Sequence, residues 1–305
     1  MESYGKVGVI SIGGINFKIL PCGNFHLHYD LADYKGFYSS CFPENETINI
    51  PVNIFIDKTC NVPSRKPDFL DGRTRKIWID GRNIYVQEKP DSFKTHLWDC
   101  EIVPNKSVIN VFCGSPLISR KRNSVLVYNP FSYPLDYLAM MHILSYRAGF
   151  IMHAAGIIWC DHGFLFPGRS GTGKSTFSRH FAGRSDAACL SDDRMVIRKL
   201  KGNKFWMAGT PWLGDAGLCV NTAAKTEFVV FIKKAKRIAI RRLEYKEVLT
   251  RLLPALSIPW YDSVLSDMVL ETCDNLLHSL KAVELSCLHY IDDIDEVIER
   301  ILQAF

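Results

Sequence analysis

From residue 1 to about 130, apolar and polar positions alternate with a period of two, the pattern of strands buried on one face. Val7-Gly-Val-Ile-Ser-Ile12, a Gly13-Gly14 turn and Ile15-Asn-Phe-Lys-Ile-Leu20 predict a hairpin. Lys76-Ile-Trp-Ile-Asp80, the turn Gly81-Arg-Asn83 and Ile84-Tyr-Val-Gln87 predict a second, and β-branched runs at 107–112 and 124–128 add two strands. Residues 63–75, with two prolines, a glycine and six charges, read as a loop, and Arg120-Lys-Arg122 as a charged turn. At Pro134 the period lengthens to about 3.6: Leu135, Leu138, Met141, His142 and Leu144 recur at helical spacing, and Asp136 suits the helix dipole. A domain boundary is placed there, between a β-rich region 1–130 and an α/β region 131–305.

From Gly149 the order becomes strand, turn, strand, glycine loop, helix, strand. Further on, the basic residues Lys233, Lys234, Lys236, Arg237, Arg241 and Arg242 read either as contacts to phosphate or an acidic substrate or as a charged hairpin edge with Ile238 and Ile240 facing in, the latter favoured. Residues 244–256, 261–280 and 292–303 have helical spacing around a strand-like 282–288.

The chain has 305 residues, 47% hydrophobic and 23% charged, which gives ample core and disfavours disordered or fibrous architecture. Its 37 Lys and Arg exceed 32 Asp and Glu by five, enough to suit an anionic ligand but too few for a dedicated nucleic-acid binder. Uncharged stretches such as 148–160 reach about thirteen residues, short of the ~18 that span a bilayer, so no membrane partner is expected. The acidic start Met1-Glu-Ser does not read as a signal peptide, and ten scattered cysteines without C-x-x-C spacing read as reduced thiols of a cytoplasmic protein.

Gly168-Arg169-Ser170-Gly171-Thr172-Gly173-Lys174-Ser175 fits G-x-x-x-x-G-K-[ST] at every fixed position. It follows strand-like Gly163-Phe-Leu-Phe166 and precedes a helical run over 175–182, whose Phe177 and Phe181 share one face and which Gly183 can end. Glycines let backbone N–H groups converge on phosphate oxygens, and a helix N-terminus adds partial positive charge. Lys174 then reaches the β and γ phosphates, and the Ser175 hydroxyl offers Mg²⁺ the hard oxygen it prefers. Residues Gly168 to Ser175, with Thr176, are the candidate phosphate-binding set.

Ala187-Ala-Cys-Leu-Ser191 reads as a buried strand ending in Asp192-Asp193, before Met195-Val-Ile197 and a hairpin at Lys201-Gly202-Asn203. Neighbours in a regular strand point to opposite faces, so both carboxylates serve one site only if the backbone bends there. Close carboxylates repel, which raises one pKa toward the range where it accepts a hydroxyl proton. Asp192 is assigned as that base and Asp193 as a metal ligand beside Ser175. His153, on the strand before the loop strand, is placed to touch a phosphate or an aspartate, although a lone histidine in an apolar run also reads as core.

Tyr133-Pro-Leu-Asp136, Gly149-Phe-Ile-Met-His153-Ala-Ala-Gly156, the glycine loop, Leu190-Ser-Asp-Asp193-Arg194 and Gly209-Thr-Pro-Trp212-Leu-Gly214-Asp215 occur in the order found in the HPr serine kinase family. Over about residues 130–245 the chain resembles that family, and more closely the HPr-kinase-related proteins of peptide natural-product clusters. The resemblance implies an α/β fold with a phosphoenolpyruvate-carboxykinase-like P-loop kinase core, here with a β-rich N-terminal region and a helical C-terminal part. It implies ATP and Mg²⁺, and transfer of the γ phosphate to a serine hydroxyl of a peptide or protein. His153, Lys174, Asp192 and Asp193 carry over as the catalytic set, Asp215 matches an acidic residue near the metal, and relatives often assemble as homo-oligomers. Thr176 stands where HPr kinases proper usually carry glutamate, so the HPr protein is not assigned as acceptor. The competing expectation is a nucleotide-gated interaction module that binds ATP without phosphorylating its partner.

Overall fold

Ile15, Phe17 and Ile19 are buried along one face of strand Ile15–Pro21 while Lys18 is exposed, the alternation a half-buried strand requires. This strand pairs with Gly8–Ile12 across the two-residue turn Gly13-Gly14, in register Ile12 to Ile15. Both glycines have positive φ, as that tight turn demands. The second predicted hairpin is Arg75–Asp80 with Asn83–Glu88, Asn83 joining the ladder opposite Asp80. A computed structural model describes residues 8–28, 34–168, 171–287 and 294–305. Val7, Arg169, Ser170, Leu288 and Asp292, each part of an element or motif read from the sequence, lie outside the described residues.

An eight-stranded sheet runs in the order Gly8–Ile12, Ile15–Pro21, Ile48–Phe55, Val108–Cys113, Trp98–Val103, Asn83–Glu88, Arg75–Asp80, Phe69–Asp71. The last strand falls inside the stretch expected to be loop; Gly72, at φ +67°, turns the chain so that Phe69–Asp71 adds to the edge opposite Arg75–Ile77. Ile118–Lys121, Ser124–Tyr128 and His26–His28 form a small separate sheet, with the basic turn where expected.

The second half is a ten-stranded sheet built around the long strand Gly149–Trp159. On one side lie Arg194–Leu200, Lys204–Ala208 and Ala223–Lys225; on the other lie His162–Pro167, Phe228–Lys234, Lys281–Cys287 and Ala239–Arg242; Ala187–Ser191 and Leu256–Ser257 also pair with the central strand. The expected basic hairpin does not form: Lys281–Cys287 lies between Phe228–Lys234 and Ala239–Arg242 and pairs with both, so Ile238 is left 40% exposed in the connection. One face of this sheet is covered by helices Tyr245–Leu252 and Ser263–Leu277, whose Val248, Leu252, Val269 and Leu276 pack on Phe150, Leu165 and Ile197. The other face carries Phe177 and Phe181 on one side and helix Ile294–Gln303 on the other, packed on Phe164, Phe166 and Phe228.

Helix Leu135–Ser145 is buried on nearly all sides, which marks it as an interior helix rather than a surface one. Its Leu138, Ala139 and Leu144 share one core with Ile10, Phe17 and Ile50 of the first sheet and with Ile151, Val196 and Trp212 of the second half. The molecule is thus a mixed α/β protein with large sheets. Among the described residues no helix is long and apolar enough to cross a membrane, and all ten cysteines are free thiols.

Candidate phosphate-binding site

The loop strand His162–Pro167 lies antiparallel to Gly149–Trp159, and the chain leaves it at Gly168 toward a short helix, Lys174–Arg179. Gly171 and Gly173 have φ of +82° and +101°, a left-handed backbone that side chains with a Cβ resist. Phe177 lies 4.5 Å from Phe166, ring to ring, and 5.6 Å from Phe181, which seats the helix on the strand. The helix starts at Lys174 and is shorter than the run expected from spacing, continuing only as turns through His180 and Phe181.

Lys174 is 6% exposed, and its Nζ donates to the Gly168 carbonyl at 2.5 Å. Burial lowers its pKa, and the nearby charges of Asp193, Asp192 and Asp215 oppose that shift.

The strand Ala187–Ser191 pairs along Ile157–Trp159, slips register between Gly156 and Ile157, and resumes beyond the two aspartates with Arg194 opposite His153. This is the bend that the paired aspartates require. Ser191 Oγ accepts the N–H groups of Asp193 and Arg194 at 3.3 and 3.1 Å and holds the turn. The two carboxylates have separate surroundings. Asp192, 2% exposed, accepts Gly214 N–H on Oδ1 at 3.1 Å and Ala216 N–H on Oδ2 at 2.6 Å. Asp193 Oδ1 is 2.8 Å from His153 Nε2, and its Oδ2 is 3.2 Å from Arg194 Nε. Burial pushes the Asp193 pKa up, but the His153 contact, Arg194 and Lys174 outweigh it and hold the carboxyl below its ordinary range. The raised carboxylate expected from repulsion is therefore not found at Asp193: cations surround it instead.

A cavity of about 690 Å³ collects these groups. His153, Gly171, Gly173, Lys174, Ser175, Thr176, Asp192 and Asp193 line it, whereas Gly168 and Thr172 stay off its wall. Lys234, one of the basic residues read as able to contact phosphate, is on the wall, and three further wall residues are not singled out by the sequence: Arg179, Leu213 and Gly214. Arg179 stands four residues beyond Ser175 on the same helix face, a spacing readable in advance. Lys234 lay inside a basic run, and only the parallel placement of Phe228–Lys234 beside the loop strand brings it here. Gly214 is dictated by contact, since a Cβ there would meet Asp192 Oδ2 and Asp193 Cβ at 2.8 Å. Asp215, loosely matched from the sequence, is on the wall.

The wall oxygens suit a hard divalent cation: the Ser175 hydroxyl and the carboxylates of Asp192, Asp193 and Asp215. Among the described residues no group of three or more His, Cys, Asp and Glu is arranged to hold a metal alone. Mg²⁺ usually keeps waters and takes phosphate oxygens beside one or two carboxylates, so this donor set fits it.

No family model matches the chain, and no curated protein matches it. Among solved structures, the Hpr(Ser) kinase/phosphatase from Coxiella burnetii is a weak likeness, with 12% identity and a TM-score of 0.28 over 50% of this chain and 87% of its own.

Proposed function

We propose that the protein is an ATP-dependent phosphotransferase that moves the γ phosphate, with Mg²⁺, to a hydroxyl of a peptide or protein, serine foremost. The observation that carries this reading is one cavity on which the glycine loop, Lys174 and the His153–Asp193 pair converge. Lys174 and the loop N–H groups hold the triphosphate tail, and Arg179 and Lys234 on the same wall add charge that favours it. Ser175 and Asp215 would hold Mg²⁺, which when bound neutralises charge on the phosphate oxygens.

The geometry favours Asp193 rather than Asp192 as the base, with Asp215 in place of Asp193 as the carboxylate beside the metal. Asp192 spends both oxygens on backbone N–H groups and so positions Gly214–Ala216 against the cavity. Asp193 faces the cavity with His153 behind it and is the proton acceptor of this reading. As the acceptor oxygen forms its bond to the γ phosphorus, the bond to the departing ADP oxygen breaks and the hydroxyl proton passes to Asp193. Positioning supplies most of the rate. Residues 131–305 are the catalytic unit of this proposal, and 1–130 help present the acceptor.

The test is transfer of label from γ-labelled ATP to serine-containing peptides, with heat of ATP binding measured in parallel. Labelled peptide is the expected result; ATP binding with at most slow hydrolysis and no labelled product would instead make the protein a nucleotide-gated interaction module.

A further inference from the structure

A second cleft, of about 350 Å³, opens beside the phosphate cavity, walled by Tyr34, Tyr133, Arg194, Pro211, Trp212 and Leu213 together with Asp193. Asp193 and Leu213 belong to the walls of both spaces. We infer that this cleft seats the acceptor, and that it selects a hydroxyl carried beside an aromatic or bulky aliphatic side chain; the inference rests on the phosphotransferase reading above.

Tyr34 Oη donates to Asp136 Oδ2 at 2.5 Å and accepts Tyr133 N–H at 2.9 Å. Trp212 Nε1 donates to the same Asp136 oxygen at 2.9 Å. Asp136 is fully buried, so it pins both aromatic side chains from behind, and the polar atoms of Tyr34 and Trp212 are already engaged. Each of these two residues is only 5% exposed, so they back the cleft, and most of its exposed apolar surface belongs to Tyr133 and Leu213. Pro211 and Leu213 add aliphatic surface, and Tyr133, 59% exposed, stands at the rim.

Arg194 is the cation on this wall, and its charge is already matched. Its Nε faces Asp193 Oδ2 at 3.2 Å, its Nη1 donates to Tyr137 Oη at 3.1 Å, and its guanidinium lies 4.9 Å from the Tyr137 ring centre. An acidic neighbour of the acceptor would have to compete with Asp193 for that guanidinium, whereas an apolar or aromatic neighbour gains ring contacts and loses water. The volume is at the lower end of the roughly 300–1,000 Å³ of ligand clefts, a size for a side chain and its neighbours rather than a broad protein face. An acceptor hydroxyl here meets Asp193, which takes its proton as the oxygen bonds to the γ phosphorus and ADP leaves from the other cavity.

The experiment uses the full chain, ATP, Mg²⁺ and synthetic nonapeptides with one central serine flanked by tyrosine, leucine, aspartate or glycine. Tyrosine or leucine neighbours should raise kcat/KM about tenfold or more over aspartate or glycine. Tyr133→Ala should raise KM for the tyrosine-flanked peptide about fivefold to tenfold with kcat within about twofold, and Tyr133→Phe should restore it. Transfer with no flank preference, an acidic preference, or a KM unmoved by Tyr133→Ala would overturn the inference and leave the phosphotransferase reading standing. No transfer to any peptide would overturn both, and calorimetry with ATP then shows whether nucleotide binding itself survives.

Discussion

His153 Nε2, on strand Gly149–Trp159, lies 2.8 Å from Oδ1 of Asp193, in the bend just before Arg194, and both residues are on the wall of the candidate phosphate cavity. The pair couples a group that can carry a proton to a carboxylate already held in its charged form by its surroundings. Asp193→Asn keeps the shape and removes the proposed proton acceptor. Phosphoryl transfer should fall by about 10² or more while ATP affinity changes only a few-fold, measured by single-turnover transfer and by calorimetry. Transfer within about threefold of wild type would show that Asp193 is structural.

Lys174→Met should leave the fold intact and remove the cation that the proposed reaction sets against the phosphates. Its amine is partly desolvated and its pKa is lowered by burial, so losing the charge costs the folded protein little. We expect ATP binding to weaken and transfer to drop by at least about 10², with a melting temperature within a few degrees of wild type. Unfolding at ordinary temperature would instead mean that the Lys174 contact to the Gly168 carbonyl holds the loop together.

Gly214→Ala tests the reach of the Asp192 contact. The new methyl group would meet Asp192 Oδ2 and Asp193 Cβ at 2.8 Å, so the segment carrying Gly214 must move off the aspartates. A stability loss of about 1–3 kcal/mol is expected, together with a loss of transfer larger than stability alone explains, because the segment lines the phosphate cavity. Denaturant titration and transfer assays on the same preparation check both; unchanged activity would place the segment outside the working site.

Part of this fold is legible in the sequence. Period-two runs, the Gly13-Gly14 turn and the glycine loop are local signals, set by backbone conformation and side-chain alternation within a few residues. The position of Lys234 depends on Phe228–Lys234 pairing parallel to His162–Pro167, about sixty residues earlier, and the exposure of Ile238 on Lys281–Cys287 entering between two strands that look like a hairpin, and neither pairing leaves a local signal. Asp136 illustrates a third kind of information. Its helical position suited the dipole, yet its burial and its partners Tyr34 and Trp212 come from segments about a hundred residues before it and about eighty after it. Contacts at such separation leave no periodicity in the sequence.

Asp136 and His142, on one buried helix, respond oppositely to acid. His142 donates from Nδ1 to the Leu138 carbonyl at 2.7 Å and accepts Tyr261 Oη–H on Nε2 at 2.8 Å, and burial pushes its pKa down to about 4 from 6.5. Below pH 6.5 the unfolded chain takes up a proton that the folded chain refuses until about pH 4, so the stability this histidine confers in full above pH 6.5 is lost on acidification across that window. Asp136 runs the other way: burial raises its pKa to about 6 from 3.8, so the folded protein binds the proton first and gains stability as pH falls from about 6 toward 3.8. Each effect amounts to roughly 3 kcal/mol over its window, at about 1.4 kcal/mol per pH unit, and in the wild type they largely cancel. Single variants separate them. The stability gap between wild type and His142→Gln should narrow as pH is lowered from 7 to 4.5, and the gap between wild type and Asp136→Asn should widen, both read by urea unfolding. Gaps that stay constant with pH in both variants would mean that neither buried group titrates differently in the folded and unfolded chains.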